Sequence, residues 1–252
     1  VAWWLLGDTE RRANVKFDVR GALLLGVGSV MILLAINRGP AWGFLASRTI
    51  FVAVLGVVAL MAFVRVEKRA SDPMLPLKWF GTRNVAFPVV SQALTNFAYM
   101  GGFMIVPQLL EVGLGFSTSH IGWLIIARPL VFSLVAPFSG RIAIRIGERN
   151  AGVIGAIAVM CSMLMLSQID LGSSDLFIAV GLSLSGAGLG IASPALTALL
   201  ANSVEVADLG VASAVQQLLN QMGAVLGAAV MVGVHEATIS SGIVRSFSYA
   251  LL

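Results

Sequence analysis

Leu176-Phe177-Ile178-Ala179-Val180-Gly181-Leu182-Ser183-Leu184-Ser185-Gly186-Ala187-Gly188-Leu189-Gly190-Ile191-Ala192-Ser193-Pro194-Ala195-Leu196-Thr197-Ala198-Leu199-Leu200 contains no charged residue. A helix rises ~1.5 Å per residue, so about twenty such residues cross the roughly 30 Å of hydrocarbon in a bilayer. The run does not alternate apolar and polar residues as a barrel strand does, so a helix is what satisfies its backbone in lipid. Outward from it lie six more runs of this kind: Gly21–Asn37, Thr49–Val66, Ala86–Leu110, Ser119–Phe138, Asn150–Gln168 and Gly210–Val234. An eighth begins near Ile243. Composition agrees, with 58% hydrophobic residues, 11% charged and a mean hydropathy of +0.94; a soluble domain needs about 25% charged residues to cover its surface. The expected fold class is all-α, a multi-pass protein integral to the plasma membrane with the lipid bilayer as its first partner.

Charge sets the orientation. Of sixteen Lys and Arg, twelve fall in three loops: Arg11, Arg12, Lys16 and Arg20; Arg65, Lys68, Arg69, Lys78 and Arg83; Arg141, Arg145 and Arg149. The opposite side has Arg38, Arg48 and Arg245. Positive loops stay in the cytoplasm, so the first complete span runs outward. The inner loop at 201–209 departs from the pattern, with Glu205 and Asp208 but no base. The net charge of +4 follows from this loop rule; no basic stripe with interleaved aromatics supports nucleic-acid binding. Asp72-Pro73-Met74-Leu75-Pro76-Leu77-Lys78-Trp79-Phe80 is too short to span and reads as an interfacial segment. Trp42 and Trp123 sit near the outer boundary, where aromatic anchors are common. The opening Val1-Ala2-Trp3-Trp4-Leu5-Leu6 looks like the last turns of an earlier span, and Ala250-Leu251-Leu252 falls just after a new run begins, so both ends read as truncated.

One residue carries the clearest chemical signal. Arg128 lies mid-span in Ser119–Phe138, where an arginine costs roughly 2.5–3.5 kcal/mol on insertion scales. It therefore faces a cavity or a partner rather than lipid. One reading makes it an anion or substrate contact, or a salt bridge to another half of the protein; the other makes it a structural charge bonded to backbone carbonyls. Pro129 follows it and breaks the local hydrogen-bond ladder. Gln92, Asn96 and Tyr99 share one face of the third span, and Gln217 and Asn220, with Gln221, share one of the seventh. Each face suits either a hydrated cavity or interhelical hydrogen bonding. Gly223 and Gly227, on an adjacent face, permit close helix contact.

Other constellations are absent or weak. Cys161 stands alone within an apolar run, and His120 and His235 have no partners at metal spacing, so no disulfide, metal or cofactor is expected. Gly186-x-Gly188 follows no strand and is no nucleotide fingerprint. Neither a Ser/His/Asp arrangement nor a P-loop is present, so the chain is not read as an enzyme.

Gly140-Arg141-Ile142-Ala143-Ile144-Arg145-Ile146-Gly147-Glu148-Arg149 resembles the cytoplasmic loop signature of the major facilitator superfamily, with Ile144 where that family has Asp. Pro76-Leu77-Lys78-Trp79-Phe80, Pro107-Gln108-Leu109-Leu110 and Gly113-Leu114-Gly115-Phe116-Ser117 are similar to segments of its fourteen-span drug:proton antiporter branch. So are Gly186-x-Gly188-x-Gly190-x-x-x-Pro194 and Gly223-x-x-x-Gly227. The resemblance implies four divisions: residues 1–20, the end of a preceding span and a cytoplasmic loop; 21–66, two linker helices; 67–85, a cytoplasmic or interfacial loop; and 86–252, the carboxy-terminal bundle with its last helix cut short. An amino-terminal bundle of the same chain is the implied partner. Gly140, Arg141, Arg145, Gly147 and Arg149 are the implied cytoplasmic gate.

Such carriers hold two three-helix repeats of opposite topology, with substrate sites on interrupted helices at matching positions. Here the first helices of the repeats are the third and sixth spans, which carry Pro107 and Gly186, Gly190 and Pro194 respectively. With Pro129, these are the expected bending points. The function expected is proton-coupled efflux of drugs or other amphipathic small molecules by alternating access. The rivals are a facilitator or importer of a small anion, and a membrane enzyme or scaffold whose chemistry lies in other segments.

Overall fold

The computed structural model describes residues 18–69, 79 and 81–252. The Val1–Leu6 stretch, the loop bases Arg11, Arg12 and Lys16, and the interfacial segment apart from Trp79 lie outside the described residues. Nine α-helices are described: α1 (Val19–Trp42), α2 (Ser47–Glu67), α3 (Arg83–Gln108), α4 (Thr118–Ile125), α5 (Ala127–Ile146), α6 (Glu148–Leu166), α7 (Asp175–Ala201), α8 (Leu209–Thr238) and α9 (Ile243–Leu251). Seven segments are long and apolar enough to cross a membrane, counting α4 with α5 as one span over Thr118–Ile146.

Polar residues at the boundaries start and stop these helices. The side chains of Asp18, Ser117 and Ser174 cap α1, α4 and α7 by accepting from the N–H groups of Gly21, His120 and Phe177. Gly147 separates α5 from α6 at φ +87°, a conformation in which a Cβ would be strained. The loop expected from Gly140 is therefore mostly helix: α5 continues to Ile146, because nothing before Gly147 interrupts it.

Within the spans, glycines set the approach. α1 and α2 form an antiparallel hairpin in which Gly28 meets Leu60 and Gly56 meets Ile32. In the bundle the most extensive packing is between α3 and α8, α6 and α7, and α5 and α7. Gly223 lies on the Ala93 carbonyl and Gly227 on the Phe97 carbonyl, so α8 runs parallel to α3. Gly186 lies on the Arg128 carbonyl and Gly190 near that of Phe132, at 3.2 Å from a β-carbon, so α7 runs parallel to α5. Each parallel pair joins the first helix of one expected repeat to the second helix of the other. Association in lipid rests on such close packing, because lipid is as apolar as the helices themselves.

The outer half of the bundle encloses Ile105, Leu109, Leu110, Leu166, Ile178 and Leu182, with Phe247 of α9 closing it. Ser162 of α6 donates to the Gly181 carbonyl of α7 at 2.7 Å, and the hydroxyl is fully buried. Ser162→Ala is expected to lower stability by about 0.6 kcal/mol, the average for an interhelical hydrogen bond in a membrane protein. Unfolding in detergent measures it, and a loss of several kcal/mol would contradict this account.

Candidate functional site

Two prolines shape the centre of the bundle. Proline has no N–H, so Pro107 leaves the Phe103 carbonyl without its helical donor, and α3 passes directly into a π-turn over Leu109–Gly113. Pro129 does the same to the Ile125 carbonyl, and the fourth span is interrupted at Ile126 between α4 and α5. Pro194, by contrast, lies within an unbroken α7. Gly186 and Gly190 act in this conformation as points of close approach to α5.

Arg128 sits where α3, α5 and α7 meet. It is 1% exposed, the largest fully buried side chain described. Its Nη1 donates to the Tyr99 carbonyl at 3.1 Å, and its guanidinium carbon lies 4.8 Å from the centroid of the Tyr99 ring, a cation–π geometry. Nε and Nη2 have no hydrogen-bond partner among the described residues. The guanidinium borders a cleft with Gly102, Phe103, Val106, Pro107, Ile125 and Leu182 that is too narrow for water in this conformation. No carboxylate among the described residues pairs with it; Asp175 lies instead against His120 Nε2, 2.7 Å away at the outer starts of α4 and α7.

Further along α3, Gln92 is buried with its Oε1 unpartnered, and Asn96 donates from Nδ2 to the Asn220 carbonyl of α8 at 2.9 Å. Asn220 Oδ1 has no partner among the described residues. The structure therefore aligns Gln92, Asn96 and Tyr99 on α3, ties Asn96 to Asn220, and ties Tyr99 to Arg128. Gln217 stands exposed instead. Its neighbour Gln216 is the buried one, with Nε2 unpartnered. Gln216 is not among the residues the sequence singles out: its spacing of seven and eleven residues from Gly223 and Gly227 places it on their face, but only their seating on α3 makes that face the buried one.

Two larger cavities lie elsewhere. One of about 490 Å³ opens at the cytoplasmic ends of α3, α6 and α7 beside Arg83, Phe87, Arg149 and Val153. The other, about 520 Å³, runs beside Thr95, Met160, Met231 and Tyr249 below the end of α9. Ser91 borders both, and none of the candidate pathway residues does.

At the cytoplasmic side, Gly140, Arg141, Arg145 and Arg149 are exposed, and the Arg141 guanidinium lies 5.7 Å from the Phe138 ring centroid. Ile144 is 87% exposed and offers no acceptor. Glu148, one turn on, accepts from Asn202 Nδ2 at 2.7 Å and ties the start of α6 to the end of α7.

Residues 89–241 match the sequence pattern of the Major Facilitator Superfamily. The chain belongs to this superfamily. The major facilitator match covers the bundle from α3 to the end of α8 and leaves out the α1–α2 hairpin. Similar proteins include the multidrug resistance protein Stp of Mycobacterium tuberculosis, 29% identical over 226 residues, 90% of this chain and 42% of that one. The multidrug transporter protein MdtP of Bacillus subtilis is 25% identical over 92% of this chain and 43% of its own length. The tetracenomycin C resistance and export protein of Streptomyces glaucescens is 28% identical over 87% of this chain and 41% of its own. The chain thus spans less than half the length of these relatives. Seven membrane-length helices in a major facilitator chain make it an all-α, multi-pass protein of the plasma membrane.

Proposed function

We propose that the whole protein is a secondary transporter, rather than an enzyme, that exports drugs or other amphipathic compounds across the plasma membrane by alternating access coupled to protons. The observation that carries this reading is the line of polar groups on α3, with Gln92 and Tyr99 buried and Asn96 half-buried between them, joined to Asn220 and to the buried Arg128. Buried polar groups without partners are costly in lipid, so their retention points to a path that is hydrated during part of a cycle. The names of the similar proteins, one for export and two for multidrug resistance or transport, support this reading. An amino-terminal bundle would supply the other wall of that path and the proton-coupling group.

Features of the packing support such a cycle. Helix bending near Pro107 and Pro129, where carbonyls already lack donors, and near Pro194 would open and close the path. At the cytoplasmic end the Gly140–Arg149 segment would gate it, with the Glu148–Asn202 bond linking α6 to α7. A second reading, a facilitator or importer of a small anion, is favoured by the Arg128 guanidinium, which has no carboxylate partner among the described residues and would reach an anion only in a more open conformation.

The test is accumulation of a panel of amphipathic dyes, neutral and charged, in cells carrying the complete gene. Reduced accumulation that a protonophore restores is the expected result. Accumulation unaffected by the gene removes the export reading, and anion uptake along its own gradient substitutes the second one.

A further inference from the structure

The described membrane interior holds one charge. Each other Asp, Glu, Lys or Arg described stands near an end of its span, whereas Arg128 lies ten residues into Thr118–Ile146. A guanidinium stays protonated in proteins. This one keeps a single carbonyl and the Tyr99 ring as partners, with no acid bonded to it among the described residues. At 1% exposure it presents no surface on which a carboxylate from another segment can pair with it. Among the described residues its charge therefore has no counter-ion, in this conformation it is buried from solvent, and its field extends into the surrounding bundle.

The polar groups of the proposed path lie within that field. Along α3, Asn96 is three residues and Gln92 seven residues from Tyr99, which is ~4.5 Å and ~10 Å of helix rise. At ~10 Å and an effective dielectric of about 20, a unit charge changes the partition of a monovalent ion by roughly tenfold. Besides Arg128, the described path residues are the amides Gln92, Asn96 and Asn220 and the phenol of Tyr99, and the unpartnered atoms among these four are the acceptor oxygens of Gln92 and Asn220. None of these four is an acid that would set a formal negative charge against the fixed positive one.

We propose that the cargo is a neutral or anionic hydrogen-bonding amphiphile, and that Arg128 excludes organic cations through its field rather than by touching the cargo. This rests on the export reading and adds its substrate class. Arg128 is thus a specificity-determining residue that acts from outside the path.

Export of three probes from cells carrying the complete gene tests it: carboxyfluorescein, an anion; Nile red, neutral; and ethidium, a cation. Wild type is expected to export the first two and to move ethidium at least tenfold more slowly. Arg128→Gln is expected to raise the ethidium-to-carboxyfluorescein ratio about tenfold, while Arg128→Lys, which keeps the charge, retains the wild-type ratio. Arg38→Gln removes a positive charge at the exposed outer end of α1 and should leave the ratio unchanged. Wild type moving ethidium as fast as carboxyfluorescein overturns the proposal, even if Arg128→Gln fails to accumulate. An unchanged ratio in a transporting Arg128→Gln overturns it as well. Export of none of the three probes removes the export reading, and this inference with it.

Discussion

Gly227→Val is expected to destabilise the bundle by about 3 kcal/mol or more and to leave little folded protein. A β-carbon at Gly227 would land on the Phe97 carbonyl of α3, and one at Gly223 on the Ala93 carbonyl, so backbone meets backbone across this seam. Overpacking a tight core commonly costs about 1–3 kcal/mol through displaced neighbours. Here the neighbour is main chain that cannot rotate away, and the helices must part along the most extensive contact among the described elements. In lipid no hydrophobic gain compensates for that separation. The comparison is Gly26→Val on α1, where nothing lies within 4 Å of the added carbon. Equal thermal stability of the two variants in detergent would show that the α3–α8 seam is not close-packed.

Gln92→Leu is expected to separate stability from transport. Gln92 is 3% exposed with an unpartnered Oε1, so a slightly shorter apolar side chain removes a buried polar atom without breaking a bond to that oxygen. Stability should rise by about 1 kcal/mol, the low end of the cost of an unsatisfied buried group. Under the proposed function, export should fall about tenfold or more, since the amide would hydrate the path and bond cargo, which leucine cannot. A residue that serves only as packing glue would show the reverse: lower stability and unchanged export. Detergent unfolding and dye efflux on the same variant decide between them.

Much of the bundle could be read from residues before any coordinates. The runs around Leu176–Leu200 and Gly210–Val234 carry their own boundaries, because a charged or capping residue at each end stops burial in lipid, and the helices start at Asp175 and Leu209. The interruption beside Pro129 was legible for the same local reason, a missing N–H. Gln216 and Gln217 show where legibility ends. They are adjacent, chemically identical and on neighbouring faces, and only the seating of Gly223 and Gly227 on α3 buries the first and exposes the second. The Gly140–Arg149 segment was read as loop, yet it stays helical until Gly147, since exposed arginines and isoleucines do not stop a helix.

Sequence alone determined that the chain crosses lipid repeatedly, which side its basic loops face, and that Arg128 would need company inside the membrane. Those properties depend on the free energy of transferring each residue into hydrocarbon, a sum over local stretches. Tertiary structure decided which company it keeps: a backbone carbonyl and an aromatic ring on another helix, with no acid among the described residues. Helix register and parallel pairing depend on where glycines of distant segments let two backbones touch, and no local sum contains that information.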